Sequence, residues 1–503
     1  MKISSIMMRI FFLLVAGAVF AGCGSVRSSF NPNKKFSPQQ LEKDYTVFQT
    51  LLEKNHPGLY WYTSRDSMDY YFNWGREQIK DSLTETQFRN IIAYVLAKIN
   101  CGHTTARPSK NFSRYLDTTR DEKLFPLSFK FWDKTVVVTG NLHRKDTVLA
   151  RGSLVHSINN MPMQKIVDTL FKFISSDGYN LTHKYQMLSN RGNFGNLYTN
   201  VFGYSPRYQV AITDTLGRKR TVTVPIYIPA RDTSMISAVT RLRSQTKKEK
   251  KFQRLQAARQ LKIDTANNTA YLDVSTFGRG VRLKRFFRQS FRYLRQHQVQ
   301  YLVIDLRSNG GGSVTNSTLL TKYISDKPFK VADSLYAISR STPYHHYIKN
   351  YFLNKLFLVF FTRKKKDGHY HFGYYETHFF KPKRKNHFNG KTYVLIGGNS
   401  FSATTLFAEA VAKQDDVILV GEETGGGAYG NTAWLIPDVR LPETKVEFRL
   451  PLFRLVIDKT VPKNGRGIQP EVFSGPNVEA IRRNEDYKMK TVLQLIEADK
   501  SKQ

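Results

Sequence analysis

Ser402 is the residue whose type and position most directly suggest covalent chemistry. The apolar run at 393–396 predicts a strand, Gly-Gly-Asn at 397–399 predicts a tight turn, and residues 403–413 have apolar side chains at helical spacing. A serine at such a helix N-terminus lies where free N–H groups and the helix dipole favour negative charge. Ser402 is therefore a candidate nucleophile. The alternative is that Ser400 or Ser402 only caps the helix.

A run of three glycines at 310–312 follows the apolar, β-branched segment 299–306. That segment predicts a buried strand, and the glycines allow backbone N–H groups to approach a ligand closely. A phosphate-binding loop is one interpretation, but the Lys-Ser/Thr pair of a P-loop is missing. The other is an oxyanion hole, in which fixed N–H donors stabilise a developing negative charge.

The two cysteines, Cys23 and Cys101, exclude several classes of site. They cannot form a disulfide framework or a cysteine-based zinc centre. We expect Cys101 to be a small buried residue.

Length and charge limit the fold and the partners. A chain of 503 residues has room for roughly three domains, and its 41% hydrophobic content supports sizeable cores. The net charge of +37 would suit nucleic acid, an anionic membrane surface or an acidic ligand.

The N-terminus narrows this choice of partners. Residues 1–23 carry basic residues, a short apolar segment and small residues before Cys23, which is typical of a secretory signal. The ending Phe-Ala-Gly-Cys resembles a bacterial lipobox, which implies lipidation of Cys23 and a place in the cell envelope, by default at the outer membrane facing the periplasm. A plain signal peptide or an uncleaved anchor is the alternative. Export argues against a nucleic-acid partner.

The first half of the chain after Cys23 predicts two domains of different composition. Residues 24–36 predict a polar tether, and residues 37–120 predict a helical domain with a capping box at its start. Residues 121–232 contain short strands separated by turn residues. Segment 151–173 resembles the core of PDZ domains, which bind an extended peptide at a sheet edge. An unrelated small β domain is the alternative.

The second half predicts an α/β core. Residues 233–265 are basic and predict a linker helix, whereas 266–480 contain a strand, a helix and a strand in succession, the pattern of a parallel βαβ unit. Within this core, residues 326–389 are aromatic and basic and predict an insertion, either a lid or a membrane-contacting flap. Residues 481–503 predict a C-terminal helix. The chain is thus predicted to be a multi-domain protein of the α/β class with a mixed, partly parallel core sheet.

Three segments in this order resemble one protein family. They are YLVIDLRSNGGGS at 301–313, SFSATTLFAEAVAKQDDVILVGEETGGG at 400–427 and GRGIQPEV at 465–472. Together they resemble the tail-specific, or C-terminal processing, proteases, which are serine peptidases of the S41 type. The helical segment that ends in Cys-Gly-His-Thr resembles the lipoprotein branch common in Bacteroidetes.

The resemblance assigns roles to residues of this sequence. The family's nucleophile falls on Ser402. Its oxyanion-hole donors fall on the N–H of Ala403 and on the glycine loop, with Gly311 preferred and Gly310 as the other choice.

The general base must differ from that of the best-known members of the family, which use a lysine shortly after the Val-Gly-Glu strand. Residues 425–428 contain no lysine, and Lys445 does not match the motif. Tricorn-like members instead use a histidine from the helical domain, and His103 occupies that position. A histidine suits proton abstraction from serine; the alternative is a helix C-terminal residue that interacts with the dipole. Candidates for the acid that orients it are Glu422, Glu447 and Glu471.

The resemblance therefore implies an exported, lipid-anchored serine endopeptidase. Its PDZ-like domain would present a protein or peptide substrate to Ser402. The resemblance implies no metal and no cofactor, because serine, histidine and backbone N–H groups suffice for peptide hydrolysis. A catalytically inactive protein that keeps the fold and binds peptide or lipid is the alternative, because folds can lose activity. The substrate and the oligomeric state are left open.

Overall fold

The computed structural model describes residues 30–118, 123–229 and 246–502. The predicted signal segment, Cys23 and the first part of the predicted linker helix lie outside these residues. The helices are α1 Pro38–Asn55, α2 Arg65–Glu77, α3 Glu85–Lys98, α4 Lys110–Thr118, α5 Met163–Phe171, α6 Leu181–Ser189, α7 Asn193–Phe202, α8 Lys247–Ala258, α9 Leu283–Gln296, α10 Val314–Ile324, α11 Tyr351–Phe361, α12 Gly373–Thr377, α13 Ala403–Val411, α14 Val478–Arg482 and α15 Tyr487–Lys500.

Strands make up five sheets in the described chain. They are β1 Lys35–Phe36, β2 Leu83–Thr84, β3 Ala106–Arg107, β4 Leu127–Trp132, β5 Thr135–Asn141, β6 Leu154–Ile158, β7 Met161–Pro162, β8 Arg207–Thr213, β9 Lys219–Pro225, β10 Arg259–Asp264, β11 Thr269–Val274, β12 Tyr301–Asp305, β13 Ser334–Ala337, β14 Arg363–Lys364, β15 Tyr370–His371, β16 Lys391–Ile396, β17 Val417–Gly421, β18 Gly430–Ala433, β19 Asp438–Arg440, β20 Glu447–Arg449, β21 Phe453–Val456 and β22 Val472–Phe473.

The central sheet has the order β10-β11-β12-β16-β17-β22 and is mixed, as predicted. Only β10 runs antiparallel to its neighbour; the other pairs are parallel. The C-terminal ends of β12 and β16 lie side by side, with Asp305 opposite Leu395. The loops that follow these strands, 306–313 and 397–402, therefore meet at one edge of the sheet, where α/β proteins bind their ligands.

Both faces of this sheet are covered. On one face, α9, α10 and α13 contribute buried apolar side chains such as Phe287, Leu320 and Phe407. On the other, Val492 and Ile496 of α15 pack against the strands. Because β12 is covered on both sides, its first four residues are all buried.

A second unit consists of β4, β5, β6, β8 and β9 in that order, all antiparallel, with β7 added beside β6. Its core includes side chains from α5, α6 and α7. Helix α6 is capped at its N-terminus by Asn180, whose side chain accepts a hydrogen bond from the N–H of His183. The loop before this cap, which contains Asp177, reaches the central sheet through contacts described below.

The N-terminal helices share one hydrophobic core with residues far along the chain. The predicted capping box at Ser37 and Gln40 is present. Phe48 of α1 packs on Phe448 of β20 with ring centroids 5.3 Å apart. Strand β3 also pairs with β20. Residues 101–107 are thereby held against the protein's second half.

Three elements differ from the sequence prediction. The predicted linker helix stops at Ala258, and Arg259–Asp264 forms strand β10 because Leu261 and Ile263 alternate with polar residues. Strands β13 and β15 of the 326–389 segment join β21 and β18 in a sheet, so this part is built into the fold. The C-terminal helix is two helices, α14 and α15.

Candidate active site

Ser402 occupies a backbone conformation that residues with side chains rarely adopt. Its φ is 59° and its ψ is −120°, at the turn between β16 and α13. The side chain makes no capping hydrogen bond to the helix, so the capping alternative fails for Ser402. Strain of this kind costs of the order of 1–3 kcal/mol and is typical of functional turns, including strand-to-helix turns that present a nucleophile.

Ser400, rather than Ser402, is the serine whose hydroxyl stabilises the turn. Its hydroxyl donates to the Leu306 carbonyl at 2.9 Å and accepts from the Gly397 N–H at 3.1 Å. The Thr404 hydroxyl donates to the Asn309 carbonyl at 2.9 Å, and the Phe401 N–H donates to the same oxygen at 3.2 Å. These bonds fix the serine turn to the glycine loop.

The glycine loop lies directly against Ser402, but its donors differ from the prediction. A Cβ on Gly311 would be 2.7 Å from the Ser402 Cβ, and its φ is +94°. The Gly311 N–H donates to the Asn309 side-chain oxygen at 2.9 Å, so this preferred oxyanion donor is already engaged. Gly310 is exposed at the cleft. Within the described chain, the N–H groups of Gly310 and Ala403 have no hydrogen-bond acceptor.

His103 is buried beside the serine turn. Only 3% of its surface is exposed, and its ring centroid is 4.7 Å from that of Phe401, the residue before Ser402. His183 also contacts Phe401, with centroids 5.0 Å apart. The His183 Nδ1–H donates to the Gly398 carbonyl at 2.8 Å, which fixes its tautomer. The structure thus places both His103, the predicted base, and His183 against Phe401, which directly precedes Ser402.

His103 is neutral and unpartnered. Neither ring nitrogen has a hydrogen-bond partner among the described residues, and this includes Ser402. Burial, the nearby Arg449 cation and His183 together lower the pKa of His103 to about 3. A neutral imidazole can accept a proton, and catalytic hydrogen bonds often form only when substrate closes the site.

The three predicted orienting acids lie elsewhere. Glu422 pairs with Lys488 at 2.8 Å and Glu447 with Arg440 at 3.1 Å, while Glu471 accepts from the Leu419 N–H at 3.4 Å. None of them is hydrogen-bonded to His103. Lys445, the other lysine considered, is bonded to the Pro442 carbonyl in an exposed turn.

Asp177 is the acid that the sequence did not reveal. It is buried, and its carboxylate accepts hydrogen bonds from the Gly102 N–H at 2.9 Å and the Gly427 N–H at 3.3 Å. Burial raises the pKa of Asp177 to about 6. In sequence, its Asp-Gly pair signals only a turn.

Cys101, His103 and Asp177 have donor atoms within 4.8 Å of one another. Thiol, imidazole and carboxylate could ligate a transition metal. However, Cys101 is already hydrogen-bonded to Thr104 and Thr432. The Asp177 oxygens hold two backbone N–H groups. His103 is the member whose ring nitrogens have no partner. Its proximity to a carboxylate is the arrangement that orients a histidine base.

A cleft of about 930 Å³ contains both His103 and Ser402 in its lining. It is lined on one side by His103, Ser402 and the glycine loop and on the other by residues of the β-rich unit's helices, among them Met187, Leu188, Asn193 and Leu197. Arg449 adds a positive charge to the lining. A groove bounded by two units suits an extended chain.

Comparison with known proteins agrees with this architecture. The sequence model of Peptidase family S41 matches residues 268–473. No curated protein matches the sequence. Among solved structures, mature CPAF has a TM-score of 0.63 at 14% identity, covering 92% of this chain and 98% of that chain. Mature CPAF complexed with lactacystin has a TM-score of 0.61 at 14% identity, with 92% and 99% covered. Residues 268–473 are therefore similar to peptidase family S41, in a chain whose overall fold is similar to that of mature CPAF.

Proposed function

We propose that this protein is a serine endopeptidase with Ser402 as nucleophile and His103 as general base. The observation that carries the proposal is the strained turn at Ser402, which leaves its hydroxyl free of capping bonds in the same cleft as a neutral buried histidine. A merely structural serine gains nothing from a backbone strained by about 1–3 kcal/mol.

The proposed reaction begins with attack of the Ser402 hydroxyl oxygen on a substrate peptide carbonyl. His103 accepts the hydroxyl proton and later gives it to the leaving amine, after which water repeats the cycle on the acyl-enzyme. The N–H groups of Gly310 and Ala403 are the donors available for the oxyanion. The N-terminal end of α13 adds its dipole to the same charge. A lost donor of this kind typically costs about 3 kcal/mol.

Asp177 serves as the positioning residue for His103 in this proposal. Its carboxylate is close to the imidazole and is fixed by two backbone N–H groups. Once His103 takes the proton, the negative charge stabilises the imidazolium. This offsets the burial and the Arg449 charge, which oppose protonation in the free protein.

The substrate proposed is an extended segment of a protein or peptide. The β-rich unit, PDZ-like in the sequence prediction, contributes α6 and α7 to one wall of the cleft. A strand bound at the edge of its sheet could run into that cleft.

Labelling with a serine-reactive fluorophosphonate tests the proposal. A protein starting at residue 24 is compared with its Ser402→Ala and His103→Ala variants and, as a control for nonspecific labelling, with Ser82→Ala, which changes an exposed serine outside the cleft. Wild type should label, both site variants should lose labelling, and a casein substrate should be cleaved only by wild type. If labelling survives in His103→Ala, the base assignment is wrong.

The alternative proposal is a non-catalytic peptide-binding protein. The absence of a hydrogen bond from His103 to Ser402 favours it. Wild-type protein that neither labels nor cleaves, yet protects a peptide from an added protease, would support this alternative.

We also propose that Cys23 is lipidated and anchors the protein at the outer membrane, facing the periplasm. The lipobox-like ending of residues 1–23 supports this. Growth with radiolabelled palmitate should label wild type and not Cys23→Ser. Labelling of both proteins, or of neither, would contradict the anchor.

A further inference from the structure

Helix α11 presents an apolar face to solvent. Its side chains Phe352, Leu353 and Phe360 are 69%, 65% and 65% exposed, and Val359 is 40% exposed. At about 100° per residue, these four positions and the half-exposed Leu356 fall on one side of the helix. We call these five residues the apolar face. The surfaces of monomeric soluble proteins rarely expose a large contiguous apolar patch, and such a patch usually marks a site that binds a protein, a ligand or a membrane.

The opposite side of α11 is firmly attached to the protein. Leu358 is buried in the core shared with the N-terminal helices, and the Phe357 ring packs on Phe372 and Phe453 at 5.2 and 6.2 Å. Thr362 caps the C-terminal end of the helix. Its hydroxyl donates a hydrogen bond to the Leu358 carbonyl and accepts one from the Arg340 side chain. The apolar face is therefore displayed by a fixed helix.

Basic residues flank the apolar face on both sides. Residues 349–366 contain no acidic residue and six basic ones, which are Lys349, Lys355, Arg363, Lys364, Lys365 and Lys366. Lys349 and Lys365 pair with Asp438 and Glu376. The other four are exposed, and no ion pair within the described chain involves them.

We propose that α11 docks on the surface of an anionic lipid bilayer. Its apolar face would enter the boundary between head groups and acyl chains, while the unpaired basic side chains contact anionic head groups. Lysine is depleted where proteins bind one another, so this composition favours lipid over a protein partner. The helix has 11 residues and is about 16 Å long, whereas a bilayer core is about 30 Å thick. Among the described residues, no helix is long and apolar enough to cross a membrane.

Vesicle flotation tests this proposal. Every buried core residue of the described chain lies at or after Phe36, so a protein starting at residue 24 keeps the fold and lacks the apolar N-terminal segment. It should float with vesicles that contain phosphatidylglycerol and much less with phosphatidylcholine alone. Leu353→Ser/Phe360→Ser should lower the partition coefficient by about tenfold or more. Lys355→Gln/Lys364→Gln/Lys366→Gln should abolish the preference for anionic vesicles.

The matched control is Leu216→Ser/Phe473→Ser, which removes the same residue types at exposed positions elsewhere. It should float like wild type. The proposal is wrong if wild type does not float, or if the control loses as much binding as the α11 variant. It is also wrong if size-exclusion chromatography shows a dimer that only the α11 substitutions dissociate. Neither pair touches the active cleft, so fluorophosphonate labelling should be unchanged in both variants.

Discussion

The proposed positioning of His103 by Asp177 can be tested with the substitution Asp177→Asn. Asp177→Asn keeps the size of the side chain but removes its charge and one hydrogen-bond acceptor. We expect kcat to fall by about 10²-fold or more with KM nearly unchanged, because the imidazolium loses its stabilising charge. Steady-state kinetics across pH, with thermal unfolding to confirm folding, measure the effect.

Glu447→Gln is the control for this prediction, since Glu447 was one of three candidates for the orienting acid and pairs with Arg440. It should retain wild-type kcat. Partial recovery in Asp177→Glu would identify charge as the cause. An Asp177→Asn protein that is folded and fully active would remove Asp177 from the mechanism.

At the scale of the element, the turn between β16 and α13 holds Ser402 in a strained backbone conformation, which exposes its hydroxyl and lowers the stability of the fold. Ser402→Gly and Ser402→Ala both delete the hydroxyl, but only glycine adopts φ 59° and ψ −120° without strain. We expect Ser402→Gly to be more stable than Ser402→Ala by about 1 kcal/mol, after the greater chain entropy of glycine is subtracted. Denaturant unfolding of the two variants measures the difference. Equal stabilities would show that the turn is not strained.

Position 311 of the glycine loop requires glycine, because the loop packs closely against the turn that carries Ser402. In Gly311→Ala, the added Cβ would be 2.6 Å from the Phe401 carbonyl oxygen and 2.9 Å from the Ala403 nitrogen. The loop must therefore shift away from Ser402, and we expect labelling and kcat/KM to fall by about 10²-fold or more. Gly373→Ala is the control, because a Cβ there also meets no atom within 4 Å and Gly373 does not line the cleft. Equal losses in both variants would contradict this account.

At the scale of the whole molecule, buried histidines make stability depend on pH. Burial lowers the pKa of both His56 and His103 from 6.5 to about 3. Between these values the unfolded chain binds protons that the folded protein does not, so unfolding free energy falls as pH falls, by up to about 1.4 kcal/mol per pH unit for each histidine. Asp177, whose pKa is raised to about 6, opposes this trend between pH 6 and 3.8.

We therefore expect His103→Gln to lose less unfolding free energy than wild type when the pH is lowered from about 6.5 to about 4. Urea unfolding at several pH values gives the comparison. The exposed His345→Gln variant should follow wild type. If His103→Gln shows the wild-type pH dependence, then His103 is not held neutral in the folded protein.

The sequence by itself determined the elements with strong local signals. The strands at 299–306 and 393–396 and the serine turn were predicted from apolar runs and turn residues, because these signals are local properties of the chain. The resemblance to S41 peptidases, rather than a local pattern, implied that Ser402 and the glycine loop act together. The order of the three motifs along the chain carries the resemblance to the S41 family.

Only the tertiary structure decided which groups surround His103. Asp177 is 74 residues from His103 in sequence and reaches it because β3 pairs with β20 and because the loop before α6 bonds to Gly102 and Gly427. Gly311 and Gly310 likewise look alike in sequence, and only the bond to Asn309 distinguishes their N–H groups. Such contacts join residues far apart in the chain, so no local pattern carries them.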